Sequence, residues 1–179
     1  SDTVTFTVSG SELAITSAGV LTFTSAPDYE TKTSYTATVT ASDGTNTTNQ
    51  NITVNVTNLN DNSPVFTSGA TLSAAENQTS IETVVASDAD GDTITYSISG
   101  SDITINSSTG VVAFTSAPDY ETKTSYTVTV TASDGTNTTT QNITVNVTNL
   151  NDNSPVFTSG TTFSAAENQT SIGTVTATD

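Results

Sequence analysis

The sequence contains no cysteine, histidine, methionine or tryptophan among its 179 residues. Without cysteine there is no disulfide framework and no cysteine-ligated metal, and without histidine the commonest general base and transition-metal ligand are missing. Basic residues are scarce as well, since only Lys32 and Lys123 stand against 18 acidic residues, for a formal net charge of −16. Nucleic acids and anionic membranes are recognised through Lys and Arg, so we expect neither as a partner.

Long apolar runs are also missing. No stretch approaches the roughly 20 apolar residues that a membrane-spanning helix needs, so no membrane insertion is predicted. Thr, in contrast, makes up roughly a quarter of the chain, and together with Val and Ile it favours strands over helices. The composition therefore predicts an all-β protein with almost no helix.

A long internal repeat organises the chain. Pro27 recurs as Pro118 within an identical ten-residue stretch, and Glu76 recurs as Glu167, a spacing of 91 residues in both cases. This period is too long for a solenoid coil and suits a globular module.

Short alternating runs separated by turn residues fill one period. Ile143, Val145 and Val147 alternate with polar residues, which is typical of a strand with one face in a core. Seven such runs predict an immunoglobulin-like β-sandwich. The predicted strands of the central copy span residues 71–74, 83–86, 93–99, 103–106, 111–115, 125–133 and 141–149.

The stretch N-L-N-D-N-S-P occurs at residues 58–64 and again, unchanged, at residues 149–155. It concentrates oxygen-bearing side chains and ends in a proline, which cannot continue a helix. Carboxylate and amide oxygens are the ligands of hard cations such as Ca²⁺, so this stretch indicates a cation site at a joint between modules.

Five motifs now stand in order within one period: A-E-N (75–77), D-x-D (88–90), D-Y-E (119–121), A-S-D-G (132–135) and N-L-N-D-N-S-P (149–155). In this order they resemble cadherin repeats, in particular the bacterial cadherin-like modules of large surface proteins. The resemblance implies tandem seven-strand Greek-key β-sandwiches joined end to end, with Ca²⁺ ions bound at each joint.

The resemblance also implies the metal ligands, which come from two modules and the linker between them. For the first joint they are Asp28, Glu30, Asn58, Asn60, Asp61, Asn62, Asp88, Asp90 and Asp134. For the second joint they are Glu76, Asp119, Glu121, Asn149, Asn151, Asp152, Asn153 and Asp179. Asp2, Asp43 and Glu167 are also predicted as metal ligands.

One departure from the family pattern, present in both linkers, bears on these sites. Asn58 and Asn149 stand where the family's linker normally opens with Asp, which removes one negative charge per joint and leaves their ligation open. Asp92 is either an additional ligand or a turn former. Packed carboxylates repel one another, so a joint without a cation should be loose and metal should control its stiffness.

The repeat divides the chain into three parts. Residues 1–61 correspond to a partial repeat lacking its first two strands, residues 62–152 to a complete repeat, and residues 153–179 to the first two strands of the next. Three interpretations remain open: one unit of a continuous array, head-to-tail strand complementation between identical copies, or an arbitrary boundary.

Three function classes follow. The first is a calcium-rigidified structural module of a repetitive adhesin, surface stalk or filament, located at the cell surface or in a secreted matrix. The second is a carbohydrate- or protein-binding adhesion module that contacts surface glycans or matrix. The third, an enzyme using paired carboxylates, is not expected, because these carboxylates recur with the repeat and mark no unique pocket.

Overall fold

The computed structural model describes residues 3–179, and their regular structure consists of strands alone, which confirms the all-β prediction. Within these residues there is no helix long and apolar enough to cross a membrane. In chain order the strands are β1 (Thr5–Val8), β2 (Leu13–Ile15), β3 (Leu21–Phe23), β4 (Ser34–Ser42), β5 (Thr47–Asn55), β6 (Val65–Phe66), β7 (Thr71–Ala75), β8 (Ser80–Thr83), β9 (Ala86–Ser87), β10 (Thr95–Ile98), β11 (Ile103–Ile105), β12 (Val111–Phe114), β13 (Ser125–Ser133), β14 (Thr138–Thr148), β15 (Val156–Phe157) and β16 (Ala177–Thr178).

The centre of the chain is a sandwich of seven strands in two sheets. One sheet has the order β10-β13-β14-β7 and the other has the order β11-β12-β8. Strands β13 and β14 form a long antiparallel hairpin, and β7 joins the free edge of β14 in parallel orientation. The sandwich architecture predicted from the seven alternating runs is therefore confirmed.

The core of this sandwich lies between its two sheets. Val84, Val130 and Val145 are fully buried, and Ile103, Val112 and Ile143 are 1% exposed. The predicted alternation on β14 is confirmed, because Ile143, Val145 and Val147 are buried while Asn146 is exposed. Burying these branched apolar side chains is the main source of stability for a sandwich of this size.

The early part of the chain repeats only some of these strands. Strands β1, β4 and β5 form a three-stranded sheet, and β2 pairs with β3. At the other end, β15 and β16 form a two-stranded sheet whose residues are exposed.

Several predicted strands differ from the structure by a few residues at their ends, and one, at residues 83–86, is broken in two. Residues 83–86 do not form a single strand, because β8 ends at Thr83 and β9 begins at Ala86. Between them, the backbone N–H of Val84 donates to the carbonyl of Gly110 at 2.9 Å. Gly110 has a φ of +71°, and a Cβ there would lie 2.1 Å from the carbonyl oxygen of Val84, so only glycine permits this approach. The break leaves β9 free to pair with β6, a strand that the sequence reading missed.

Candidate metal centre

The first joint is built where the linker, residues 58–62, lies against the loop that follows β9. Asp90 in that loop accepts hydrogen bonds from the backbone N–H groups of Asp61 (3.1 Å) and Asn62 (2.8 Å). Its other carboxylate oxygen accepts the side-chain amide of Asn62 at 2.9 Å. The Asn58 side chain donates to the backbone carbonyl of Asp90 at 2.8 Å, so the linker is held on Asp90 at three residues.

Two groups of carboxylates meet at Asp90. In one group, oxygens of Glu30, Asp61 and Asp90 all lie within 4.8 Å of one another, and in the other, oxygens of Asp88, Asp90 and Asp92 do so. The members come from the early part of the chain, the linker and the loop of the central sandwich. Five carboxylates at this spacing match the oxygen-rich environment of a hard divalent cation.

Asp88 supplies an independent sign that a cation fits here. One of its carboxylate oxygens accepts the backbone N–H groups of Asp90 (3.0 Å) and Asp92 (3.4 Å). The other oxygen is buried and has no hydrogen-bond partner. A buried, unpartnered carboxylate oxygen is costly unless a ligand satisfies it.

The carboxylates of this joint are perturbed in opposite directions. The side chain of Asn62 lowers the pKa of Asp90, and the backbone N–H groups of Asn62 and Asp61 act in the same direction. Desolvation raises the pKa of Glu30, and its interactions with Asp90 and Asp28 raise it further. Desolvation also raises the pKa of Asp92, with the negative charges of Asp88, Asp90 and Asp134 adding to it. Close negative charges thus oppose full ionisation of the cation-free cluster.

The turn between β13 and β14 closes the joint from the side. Asp134 in this turn is 8% exposed, and its Oδ1 accepts the backbone N–H groups of Thr136 (2.7 Å) and Asn137 (2.5 Å). Burial opposes the ionisation of Asp134, but the hydrogen bonds from Asn137, Thr136 and Asn60 outweigh it and lower the pKa. The Asn60 side chain also donates to the Asp134 carbonyl at 3.4 Å.

Asn137 was missed by the sequence reading, although it closes the repeated D-G-T-N turn. Its side-chain amide donates to Asn60 Oδ1 (2.9 Å), to the Asn62 carbonyl (2.9 Å) and to Asp134 Oδ2 (3.2 Å). The turn motif marked the position, but the contact with a linker 75 residues earlier in the chain could be seen only in the fold.

The second joint is centred on Glu76, which is 2% exposed. Its two carboxylate oxygens accept the backbone N–H groups of Leu150 (2.7 Å) and Tyr120 (2.8 Å). Oxygens of Glu76, Glu121 and Asp152 lie within 4.8 Å of one another. The side chain of Asn77, a residue with a φ of +63°, donates to Asp152.

Around this group lies a shallow depression that brings together most of the remaining residues predicted for the second joint. Glu121, Asn149, Asn151, Asn153 and Asp179 line it.

Asp28 and Asp119 occupy equivalent turns in the two copies. Asp28 accepts the Thr31 hydroxyl at 2.7 Å, and Asp119 accepts the Thr122 hydroxyl at 2.8 Å. In each case this hydroxyl lowers the pKa of the carboxyl, against an opposing effect of desolvation, and nearby backbone N–H groups assist. Asp28 lies two residues before Glu30, and Asp119 lies two residues before Glu121; these two glutamates belong to the carboxylate groups of the first and second joints.

Among residues 3–179, two predicted residues are not brought to either joint. Asp43 lies beside Val4 and Asn46, and Glu167 is exposed; neither belongs to a carboxylate group among residues 3–179. Asp2 lies outside the described residues.

The comparisons with known proteins agree with this architecture. Residues 70–148 match the family described as the Cadherin domain, and this match spans β7 to β14. Residues 70–148 are therefore a cadherin-like module. Human Protocadherin Fat 1 is 41% identical over 152 residues, which is 74% of this chain and 3% of that protein. Mouse Cadherin EGF LAG seven-pass G-type receptor 1 is 34% identical over 177 residues, 90% of this chain and 6% of that protein.

Solved structures of cadherins have the same fold. The extracellular cadherin domains 3–6 of Protocadherin Gamma B2 superpose with a TM-score of 0.77 at 28% identity, over 87% of this chain and 43% of that one. Mouse Cadherin-23 EC22-24 gives a TM-score of 0.73 at 28% identity, over 99% of this chain and 65% of that one. This cadherin-like chain spans only a small part of the curated relatives, 3% and 6% of the two described above.

Proposed function

We propose that this cadherin-like chain is an extracellular structural module of an adhesion-type protein, and that Ca²⁺ bound at its joints makes successive modules rigid. The observation that carries the proposal is the buried, unpartnered carboxylate oxygen of Asp88 beside the carboxylates of Asp90 and Asp92. The cadherin-like relatives support the same assignment. The fold is one that adhesion proteins use, and no catalytic role is proposed.

The geometry of the first joint supports a particular ligand set for this proposal. Asp90 belongs to both carboxylate groups, so we propose that it bridges neighbouring ions. Glu30 and Asp61 would hold an ion from the side of the early segment and the linker, and Asp88 would hold one from the loop. Asp134 and Asn60 extend the oxygen-rich surface toward the turn after β13. We also propose that Asp92 ligates, because its carboxylate joins this group instead of closing a turn.

The second joint has a smaller carboxylate group among the described residues. Glu76, Glu121 and Asp152 would form its centre, with amide oxygens of the repeated linker around them. At the first joint, Asn58 would hold the linker through its hydrogen bond to the Asp90 carbonyl, but it would not bring the negative charge of an aspartate. We therefore expect one fewer tight ion at a joint of this chain than a linker beginning with Asp would bind.

Stiffness would arise because no single module completes a coordination shell. Ca²⁺ takes six to eight oxygens, and the first joint draws its candidates from three parts of the chain. A bound cation would remove the repulsion among these carboxylates and contribute its binding free energy to the ordered joint. We propose module boundaries at residues 61/62 and 152/153, with neighbouring modules joined end to end as the partners.

Calcium titration of the intact chain tests this proposal. We expect saturating Ca²⁺ to raise the melting temperature by on the order of 10 °C over the chelated protein. Small-angle scattering should show a longer and less variable particle at the same time. An identical melting curve in Ca²⁺ and in excess chelator would contradict the proposal.

A matched pair of variants localises the effect. Asp134→Asn should weaken the response to Ca²⁺, since it removes a charge at the first joint. Asp43→Asn changes the same position of the same turn in the other copy, away from any carboxylate group of residues 3–179, and should respond as the unmodified chain does.

A further inference from the structure

The side-chain amide of Asn137 lies between the linker and the turn after β13. Two of its three acceptors, Asn60 Oδ1 and the Asn62 carbonyl, belong to the linker, and both lie at 2.9 Å. The third, Asp134 Oδ2, belongs to the turn itself. One amide group therefore connects two parts of the joint that are more than 70 residues apart in sequence.

The hydrogen bonds of the Asn137 amide lie at a half-buried position, where they can stabilise the seated linker. Asn137 and Asn60 are half-buried, so water competes less well for their hydrogen bonds than it would at an exposed site. The linker also donates to the turn, because the Asn60 side chain donates to the backbone carbonyl of Asp134. The two linker oxygens are of the kind that a hard cation recruits, and the amide already holds them in place.

We propose that Asn137 is a positioning residue that fixes the linker on the central sandwich before any cation binds, and so strengthens cation binding at the first joint. The ordering of the linker stands on the hydrogen bonds alone. The effect on cation binding rests on the proposed function. A preorganised site binds more tightly because part of the ordering cost has already been met before the ligand arrives.

The chain itself contains a matched control. Asn46 closes an identical D-G-T-N turn in the first copy, and its side-chain amide donates to Asp43 Oδ2 at 3.2 Å, as Asn137 does to Asp134. Among residues 3–179, however, the Asn46 amide makes no hydrogen bond to a linker. Removing Asn46 therefore reproduces the loss inside the turn without the loss of the linker contacts.

Hydrogen exchange of the cation-free chain tests the ordering directly. The backbone N–H groups of Asp61 and Asn62 donate to Asp90 only while the linker is seated, so their exchange reports its opening, most directly at Asn62 because the Asp61 N–H also donates to the Leu59 carbonyl at 3.0 Å. Without cation, we expect these two amides to exchange about three- to tenfold faster in Asn137→Ala than in the unmodified chain. In Asn46→Ala they should be unchanged.

A second variant separates donation from packing. Asn137→Asp keeps the shape of the side chain but removes both amide hydrogens, so it should accelerate exchange at least as much as Asn137→Ala. Equal exchange rates in Asn137→Ala and Asn46→Ala would overturn the proposal. Unmodified rates in Asn137→Asp would overturn the role of hydrogen-bond donation.

Calcium titration followed through the amide signals of Asp61 and Asn62 tests the second half of the inference. The affinity of the first joint should fall by about the same three- to tenfold in Asn137→Ala and stay constant in Asn46→Ala. An unchanged affinity in Asn137→Ala would overturn the link between positioning and binding. If the unmodified chain bound no Ca²⁺, the proposed function would fail, while the exchange result would still decide whether Asn137 orders the linker.

Discussion

The hairpin β4–β5 and the hairpin β13–β14 have nearly the same sequence but different surroundings. Both share the same internal register around an identical D-G-T-N turn. Strand β14 also pairs with β7, whereas β5 pairs with β4 alone among residues 3–179. The apolar face follows this difference, because Ile143 is 1% exposed while its counterpart Ile52 is only half-buried. The sequence of a hairpin thus specifies how its two strands pair, and the neighbouring strands decide how much apolar surface the hairpin buries.

The largest expected difference concerns these two isoleucines. Ile143→Ala should lower the free energy of unfolding of the central sandwich by about 2–5 kcal/mol, because it leaves a cavity in a closed core. Ile52→Ala should cost clearly less, because solvent already reaches that side chain. Urea unfolding followed by NMR signals of β14 and of β5 would measure the two separately. Equal losses would mean that the early sheet is as well covered in solution as the central one.

The two copies of the A-E-N motif give the next largest difference. Glu76 accepts a backbone N–H group at each of its carboxylate oxygens, so Glu76→Gln turns an amide toward one of these donors. A buried donor left unsatisfied costs about 1–3 kcal/mol. Glu167→Gln, at an exposed position, should change stability by less than about 0.5 kcal/mol. Thermal unfolding of both variants in chelator would measure the two losses. A larger loss in Glu76→Gln would show that burial of the glutamate, and not the A-E-N motif itself, determines the loss of stability.

The two lysines should behave alike, in contrast to the two previous pairs. Lys32 lies 4.3 Å from the centre of the Tyr35 ring and pairs with Glu12 at 2.6 Å. Lys123 lies 3.9 Å from the Tyr126 ring and pairs with Asp102 at 3.0 Å. Each contact is solvent-exposed, so Lys32→Met and Lys123→Met should each cost about 1 kcal/mol or less. A loss that persisted in high salt would assign the effect to the ring contact and not to the ion pair.

The smallest expected effect is the acid response of the cation-free chain. Backbone hydrogen bonds from Asn46 and Thr45 lower the pKa of Asp43 in the folded state. Its contribution to stability is therefore present above the unfolded-state pKa and is lost as the pH falls through the lower, folded-state pKa. Glu30, whose pKa is raised, acts in the opposite direction: its contribution is present at low pH and is lost as the pH rises.

Stability measured in chelator between pH 6 and pH 3 checks both signs. Asp43→Asn should flatten the decline toward acid, and Glu30→Gln should steepen it. The same change of slope in both variants would contradict the assigned directions.

Local patterns allowed much of this fold to be predicted. Strand β13 was predicted at residues 125–133, its observed bounds, because strict alternation and flanking turn residues define it without outside contacts. The carboxylates of both joints were predicted from the family resemblance, and the structure brings most of them together.

Features that depend on distant neighbours were not predicted. The break after Thr83 depends on the close approach of Gly110, and β6 exists only because β9 pairs with it. The role of Asn137 depends on a linker from another part of the chain. In each case the sequence shows the residue type, but the long-range contact that determines its structural role appears only in the fold.

The lysine contacts have a consequence for how this chain resists degradation. Lys32 and Lys123 are its only basic residues, so a protease that cleaves after basic side chains has two target bonds in the whole sequence. Each side chain contacts an aromatic ring and a carboxylate, and a protease must break these exposed contacts, at a cost of about 1 kcal/mol or less, before the side chain can enter its specificity pocket. The two lysines that contact the rings are thus also the two sites at which trypsin-like enzymes could cleave the chain.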